Sequence, residues 1–404
     1  MPRRGKRWPL RARWLMLWHR DLQRRQGDLM SVSHIIANRQ TWFGHGSIQQ
    51  LPPLLLADPQ PTLLFSCRSF LNGPVYAGLR EALAPLFIGT EIVSHEASPQ
   101  EIDAWVARWR GQVQRVVAIG GGSVLDAAKA FSALVVHPLP TLRYMEKVGD
   151  SKISGATLPL IAIPTTAGTG SEVTQNAVIT DTQVSKVKAS LRHNNFVPHT
   201  AILDPQLLAG APDKVLAYCA IDAFTHLFEA YLSKTAGAMT RDMSLNGIRH
   251  FLAAWPALNR SDAAREAIMQ ASYLGGLTLS AAGLGVIHGI AGEIGALRDY
   301  HHGQVCGRLL LPFLALLETS EQPQQRALMA ELAARLYPHW QGSPESYLTD
   351  FITRHAIAPF WQDDLPISGQ ELAVALEKSN SKNSWIDYAP AQRQRMIEEA
   401  FRVE

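Results

Sequence analysis

Four residues in the second half of the chain could bind a metal ion. Asp222 and His226 lie four positions apart in a helical stretch, so their side chains share one helix face about one turn apart. His288 and His302 follow, each directly before a glycine. One carboxylate and three imidazoles suit a divalent metal such as Fe²⁺ or Zn²⁺ and leave a position for a substrate oxygen. Because the chain has 14 histidines, spacing alone leaves a structural role for each of them open.

Two loops rich in glycine and hydroxyl groups could bind a nucleotide. The first spans residues 120–123 and the second spans residues 164–172, and each directly follows an apolar run. A glycine turn between a strand and a helix presents free N–H groups and the positive end of the helix dipole to a phosphate. Either loop alone could be a plain turn, but the pair predicts a nucleotide site. Its candidate residues are Gly120, Gly121, Gly122, Ser123, Asp126, Thr165, Thr166 and Thr169.

The elements that position these residues differ between the two halves of the chain. Over residues 31–206, short apolar runs alternate with helical stretches, which predicts a doubly wound, mostly parallel α/β sheet. The predicted strands are 62–65, 115–119, 158–163 and 201–203, and the predicted helices include 74–84 and 99–111. Over residues 207–404 the pattern is helical, with long helices at 213–234, 261–282 and 304–318 and no predicted strand. We therefore expect an α/β domain followed by an all-α domain.

Composition excludes several classes of protein. The 404 residues contain 38 basic and 35 acidic side chains and are 47% hydrophobic, which is ordinary for a chain that folds into two domains. No segment reaches the roughly 18 apolar residues that a membrane span needs, so no membrane association is expected. The three cysteines are far apart, which predicts neither a disulfide framework nor a thiolate zinc site and fits a cytoplasmic protein.

Residues 1–30 differ from the rest of the chain. They contain nine basic and two acidic residues, so the basic surplus lies here and the remainder carries a net negative charge. The segment lacks the apolar core of a signal peptide, and we expect an extension without a fold. A membrane-surface or partner-binding arm and a targeting segment are the alternatives. The acidic balance of the remainder predicts no nucleic-acid binding.

Together these segments resemble the iron-containing, group III metal-dependent alcohol dehydrogenases. The matching motifs are GGGSVLDAAK (120–129), PTTAGTGSEVT (164–174), AILDP (201–205), DAFTHLFEAY (222–231) and the HG pairs at 288–289 and 302–303. They occur in family order between about residues 33 and 320. The resemblance implies a dehydroquinate synthase-like fold, in which a Rossmann-like dinucleotide-binding domain and a helical domain enclose the active site. It also implies a homodimer or a larger homo-oligomer.

The resemblance further implies roles for individual residues. The implied ligands of Fe(II) or Zn(II) are Asp222, His226, His288 and His302, of which His288, His302 and Asp222 would act in catalysis through the metal. The loop at 120–123 would bind the cofactor diphosphate, and the loop at 164–172 would line the nicotinamide and ribose. Lys188, ten residues before Pro198, would contact the cofactor.

Two positions depart from the family pattern. Many relatives have a second histidine four residues after the third ligand, where this chain has Gly292. Gly292 either widens the pocket or leaves the proton relay to another group, for which His301 is a candidate. NAD-preferring relatives often have an acidic residue after the first strand, where this chain has Cys67 followed by Arg68. Without the carboxylate to repel a 2′-phosphate, and with Arg68 able to bind one, we expect NADP as well as NAD to be accepted.

The implied function is reversible, metal-assisted hydride transfer between an alcohol or aldehyde and NAD or NADP. A glycerol-dehydrogenase-like or dehydroquinate-synthase-like reaction on a polyol or sugar is the first alternative, because it would use the same metal and nucleotide. A metal-dependent hydrolase is the second alternative, and the diphosphate loop argues against it because a hydrolase does not need one. A nucleotide-binding protein without catalysis is the third, and the complete set of metal ligands argues against it. The sequence leaves the physiological substrate and the native metal open.

Overall fold

A computed structural model describes residues 32–181, 184–185, 187–258, 260–355 and 364–404. The extension predicted over residues 1–30 lies outside the described residues. Within them, a parallel sheet with helices on its faces is followed by a mostly helical region, which confirms the predicted fold class.

Six parallel strands form the main sheet. The described strands are β1 (Gln40–Phe43), β2 (Thr62–Ser66), β3 (Gly89–Ile92), β4 (Arg115–Gly120), β5 (Leu160–Pro164), β6 (Asn176–Asp181), β7 (Val187–Arg192), β8 (Thr200–Leu203), β9 (Pro366–Ile367) and β10 (Arg402–Val403). The order of the main sheet is β1-β8-β5-β4-β2-β3, with every neighbouring pair parallel. Strands β6 and β7 form a separate antiparallel hairpin. The carboxyl ends of β4 and β5 therefore lie side by side, with Gly120 opposite Pro164.

The four predicted strands are β2, β4, β5 and β8, and the structure confirms them. Every residue of β2, β4 and β5 is buried, because helices cover both faces of a parallel sheet and such strands are apolar throughout. The sequence analysis missed β1, β3 and the β6–β7 hairpin. All four residues of β1 are exposed at the sheet edge, so this strand has no apolar pattern to detect.

Helices make up most of the second half. The helices are α1 (Leu51–Ala57), α2 (Arg68–Leu71), α3 (Pro74–Leu83), α4 (Pro99–Trp109), α5 (Gly122–Leu134), α6 (Asp213–Leu232), α7 (Ala238–Ala254), α8 (Asp262–Ala282), α9 (Val286–Leu297), α10 (His302–Glu318), α11 (Pro323–Leu336), α12 (Pro344–Arg354), α13 (Gly369–Lys378) and α14 (Pro390–Ala400). The predicted helices at 74–84, 99–111, 213–234, 261–282 and 304–318 are confirmed to within a few residues.

Helix α6 forms the centre of the helical region. Every residue from Leu216 to Leu232 is buried, in contact with α7, α8 and α10. By length and composition α6 could cross a membrane, but 94% of its apolar window is buried inside the protein. Such burial is typical of the core helix of a folded domain.

The C-terminal region contains two short strands that the sequence analysis did not predict. Strand β10 pairs in parallel with β9, which places Arg402 opposite Pro366. The expectation of a strand-free second half was therefore wrong at this point, because two-residue strands are too short to produce a periodic pattern. The change from sheet to helices falls between β8 and α6, and the domain limits at 206 and 207 stay a prediction.

Candidate active site

The four predicted metal-binding side chains meet at one carboxylate oxygen. The Nε2 atoms of His226, His288 and His302 lie 3.6, 3.4 and 3.8 Å from Asp222 Oδ1. Asp222 and the rings of His226 and His288 are buried, and the His302 side chain is 28% exposed. Three imidazole nitrogens and a carboxylate oxygen at such separations are the donor set of a divalent first-row metal, so the residues present fit such an ion.

Glycines allow the three helices that carry these residues to approach closely. Asp222 and His226 lie one turn apart on α6, while His288 lies in the first turn of α9 and His302 begins α10. A Cβ atom at position 303 would overlap the carbonyl oxygen of Tyr218 on α6, and one at position 289 would overlap the carbonyl oxygen of Asn380. Each of the two later histidines is therefore followed by glycine because the backbone itself is in contact with its neighbour.

The turn between α8 and α9 directs His288 towards α6. The two helices meet at an angle of 101°, and the C-cap residue of α8, Gly283, has a φ of 69°. This left-handed conformation favours glycine. A straight continuation of α8 would carry residue 288 away from Asp222, so the turn is required for the cluster.

Glu229 orients His288 and was missed by the sequence analysis. Its carboxylate accepts a hydrogen bond of 2.7 Å from Nδ1 of His288, and it also accepts from the backbone N–H groups of Ile287 at 2.7 Å and of His288 at 3.4 Å. A proton held on Nδ1 leaves the lone pair of Nε2 directed at Asp222, as in other carboxylate–histidine–metal arrangements. Positions 222, 226 and 229 follow the i, i+4, i+7 spacing of one helix face, and this spacing could have identified Glu229.

Cys306 is a second residue that the sequence analysis did not place at the site. Its Sγ lies 3.6 Å from Nε2 of His288 and 3.7 Å from Nε2 of His302. One donor atom each from Asp222, His288, His302 and Cys306 lie within 4.8 Å of one another. The sequence analysis considered only the spacing between cysteines. The spacing that could have identified Cys306 is its i, i+4 relation to His302.

The buried groups of the cluster shift one another's pKa values. Burial disfavours the ionised form of Asp222, but the surrounding imidazoles outweigh it and hold the pKa of this carboxyl well below its usual range. Burial lowers the pKa of His226 to about 4 and that of His302 to about 3, whereas Cys306, Asp222 and Glu229 raise the pKa of His288 against the effect of its burial. Asp222 is therefore charged at neutral pH, while His226 and His302 are neutral imidazoles with free lone pairs.

The two glycine- and hydroxyl-rich loops lie in contact at the carboxyl edge of the sheet. The backbone N–H of Thr165 donates to the carbonyl of Gly120 at 2.9 Å. A Cβ atom at Gly122 would lie 2.6 Å from the methyl group of Thr169. Both loops adjoin the N-terminus of α5 and are partly accessible to solvent. Their half-buried residues are Gly121, Ser123, Thr165 and Thr166. This position is where parallel α/β sheets bind ligands.

Asp126, on the helix that follows the first loop, is hydrogen-bonded to the second loop. It is 9% exposed, accepts hydrogen bonds from the hydroxyl of Ser171 and, at 3.1 Å, from the backbone N–H of Val178. Lys129, one turn further along α5, donates to Ser171 at 3.0 Å and to Thr174 at 3.1 Å. The structure thus gives Asp126 a role in positioning the second loop, and its predicted contact with the cofactor stays a prediction.

Lys188 and Gly292 are two further positions that the sequence analysis singled out. Lys188 pairs with Glu96 at 2.5 Å and lines a pocket of about 330 Å³ together with Glu293 and other residues of both halves. A Cβ atom at Gly292 would meet no atom within 4 Å, so this position opens into free space. His301 is exposed at the N-cap of α10, with its ring 5.1 Å from that of Tyr218.

Cys67 and Arg68 lie at the same sheet edge as the glycine loops. They directly follow β2, whose last residue, Ser66, donates a hydrogen bond of 2.8 Å to the carbonyl of Ile119 next to the first loop. Arg68 is exposed at the start of α2, and Cys67 contacts the hydroxyl of Ser69 at 3.1 Å. Both side chains are thus placed one strand away from the residues predicted to bind the diphosphate.

The fold and this geometry define a class of proteins in which a Rossmann-like sheet adjoins a helical region with a buried carboxylate–histidine cluster. The chain belongs to the iron-containing alcohol dehydrogenase family. The model described as iron-containing alcohol dehydrogenase matches residues 38–205, and the model of the family's C-terminal region matches residues 216–355. The predicted resemblance is confirmed.

Individual relatives agree with this membership. The chain is 43% identical over 200 residues to the probable alcohol dehydrogenase EutG of Escherichia coli (strain K12), over 49% of each chain, so it spans about half the length of that relative. It is 31% identical to long-chain-alcohol dehydrogenase 1 of Geobacillus thermodenitrificans (strain NG80-2), over 70% of this chain and 73% of that protein. In fold it is similar to sulfoacetaldehyde reductase from Bifidobacterium kashiwanohense, solved with NAD⁺, with a TM-score of 0.79 and 21% identity over 91% of this chain and 98% of that chain.

Proposed function

We propose that the chain catalyses reversible hydride transfer between an alcohol or aldehyde and a nicotinamide cofactor. The single observation that carries the proposal is the convergence of three imidazole nitrogens on one buried carboxylate oxygen. The names of the relatives, which include alcohol dehydrogenases and an aldehyde reductase, support it. The proposed ligands of Fe(II) or Zn(II) are Asp222, His226, His288 and His302. An ion bound there would supply Lewis acidity towards a substrate oxygen, and the nicotinamide would supply or accept the hydride.

The chain's own contribution is positioning and the exclusion of water. Glu229 fixes the ring of His288, and Asp222 presents one carboxylate oxygen to three rings in a largely buried site. The free N–H groups at the start of α5 would bind the cofactor diphosphate, and Asp126 with Lys129 would hold the second loop beside them. Because these contacts hold the groups in place, little reorganisation would accompany the reaction.

The substrate would enter on the side of Gly292. Because no side chain occupies the space at this position, the second histidine of many relatives has no counterpart here. We assign proton exchange with solvent to His301, which is exposed and directly precedes His302. A homo-oligomeric, cytoplasmic enzyme belongs to the same proposal.

Cofactor choice depends on Cys67 and Arg68. We propose that NADP is accepted as well as NAD, because no carboxylate stands at position 67 and Arg68 is exposed one strand from the first loop. Introducing the charge by Cys67→Asp would repel a 2′-phosphate and should raise the KM for NADPH relative to that for NADH by roughly 10-fold or more. Steady-state kinetics with both cofactors measure this ratio, and an unchanged ratio would contradict the assignment.

The experiment that tests the proposal is a spectrophotometric reduction assay. The metal-reconstituted protein is mixed with NADPH, then with NADH, and a panel of short aldehydes. Loss of the nicotinamide absorbance that stops with a chelator and returns with added metal is the expected result. Consumption that is insensitive to chelator would reject the metal site, and absence of cofactor binding would reject the hydride-transfer function. Including polyols and sugars in the oxidation direction distinguishes the first alternative.

A further inference from the structure

We propose that Cys306 is a thiolate ligand of the metal, so that the centre contains nitrogen, oxygen and sulfur donors. The inference rests on the proposed function, which places a divalent metal at this cluster. It goes beyond the set of one aspartate and three histidines by adding a residue from α10 that the sequence pattern did not indicate.

Distances within the cluster match a metal polyhedron that includes sulfur. Bond lengths of about 2.0–2.1 Å to nitrogen or oxygen and about 2.3 Å to sulfur give edges of roughly 2.9–3.6 Å between N and O and roughly 3.1–3.8 Å between N and S in a five-coordinate centre. The separation of His288 Nε2 from Asp222 Oδ1 is 3.4 Å, and Cys306 Sγ lies 3.6 and 3.7 Å from Nε2 of His288 and His302. All four donor atoms lie within 4.8 Å of one another. One ion could thus contact these four atoms, and Nε2 of His226, which lies 3.6 Å from Asp222 Oδ1, would be the fifth donor.

Two facing helices each present a pair of donors to this position. Asp222 and His226 are four residues apart on α6, and His302 and Cys306 are four residues apart on α10. The two helices are in direct contact. Cys306 is fully buried, and imidazole nitrogens of His288 and His302 lie within 3.7 Å of its sulfur. A cysteine that served only to fill the core would not need to direct its sulfur at both rings.

Cys219 provides the comparison within the same protein. It is also buried on α6, three residues before Asp222, and its Cβ packs against Gly168 of the second loop. It is not a member of the group of four mutually close donor atoms. Burial next to the cluster is therefore distinct from membership of it, and Cys219 is the matched control for Cys306.

A thiolate ligand changes the chemistry of the centre. On metal binding the thiol would lose its proton to solvent as the sulfur–metal bond forms, so one additional proton is released per ion. The charges of Asp222 and the thiolate together balance those of a divalent cation, which makes it a weaker Lewis acid. Soft sulfur donors also favour Zn²⁺ or Co²⁺ over Mg²⁺ and Mn²⁺.

The test uses cobalt as a spectroscopic probe. The full chain is stripped with a chelator and loaded anaerobically with one equivalent of Co²⁺, and the bound metal is quantified. We expect the near-ultraviolet charge-transfer band of a cobalt–thiolate bond in the wild type and in Cys219→Ser, and its loss in Cys306→Ser and Cys306→Ala. Zinc-edge X-ray absorption of the zinc-loaded wild type, which needs no variant, should show one sulfur neighbour at about 2.3 Å.

The outcomes separate this inference from the proposed function. A wild type that binds cobalt without the thiolate band, or a band that persists in Cys306→Ser, would overturn the assignment of Cys306 and leave the metal site intact. A wild type that binds neither cobalt nor zinc would overturn both. If the Cys306 variants do not fold, the X-ray absorption of the wild type decides, because a shell of nitrogen and oxygen alone refutes the thiolate.

Discussion

Glu229 offers the sharpest test of how the cluster is organised, through the substitution Glu229→Gln. The carboxylate is 2% exposed and accepts from three N–H groups, one oxygen facing Ile287 and the other facing His288. Glutamine has the same shape but only one acceptor oxygen. If that oxygen stays with Ile287, the amide NH₂ faces Nδ1 of His288, which must then accept. The proton of the ring moves to Nε2, whose lone pair is lost to the metal.

The expected loss of metal affinity in Glu229→Gln follows from the hydrogen bonds that change. Loss of a partner that orients a metal-binding histidine typically weakens metal affinity by about 10- to 100-fold, or about 1.4–2.7 kcal/mol. Loss of one hydrogen bond to a charged group, at about 1.5–3 kcal/mol, gives the same range independently. We therefore expect Glu229→Gln to weaken zinc or cobalt binding by one to two orders of magnitude.

Competition titration against a chromogenic chelator measures this affinity. Glu345→Gln is the matched control, because Glu345 is also buried, at 3% exposure, but lies on α12 outside the cluster. The thermal midpoint of the metal-free proteins separates loss of folding from loss of binding. Metal affinity equal to that of the wild type in a folded Glu229→Gln protein would refute the claim that Glu229 sets the tautomer of His288.

Two further predictions concern packing and pH. Gly303→Ala should destabilise the protein by about 1–3 kcal/mol because its Cβ overlaps the Tyr218 carbonyl, whereas Gly292→Ala, in open space, should not lower stability. Equal thermal midpoints for these two variants would contradict the packing argument. Burial lowers the pKa of His226 from 6.5 to about 4, so the unfolded chain binds more protons in this window. The metal-free protein should therefore lose up to about 3 kcal/mol as pH falls from 6.5 to 4, measured by urea unfolding, and His226→Gln should flatten this slope.

Local sequence determined the central strands, the main helices and most of the candidate site. Strands β2, β4 and β5 are buried on both faces and are therefore apolar throughout, and the turn residues after them mark the two loops. The spacing of Asp222 and His226 fixes their common helix face. Strand β1 could not be predicted in this way, because an edge strand with four exposed residues buries no face. Strand β6 was missed because its burial alternates while its residue types do not: the apolar Val178 is half-buried and the acidic Asp181 is buried.

Tertiary structure alone decided which residues from different helices come together. The sequence fixes positions along one helix but not the distance between α6, α9 and α10, which depends on the turn at Gly283 and on the close backbone contact at Gly303. Spacing alone places Glu229 and Cys306 on the helix faces of Asp222 and His302, and the structure shows that both reach the cluster. The physical cause is that bond geometry acts over a few residues, whereas packing of buried surfaces brings together groups that lie more than 50 residues apart, such as Glu229 and His288.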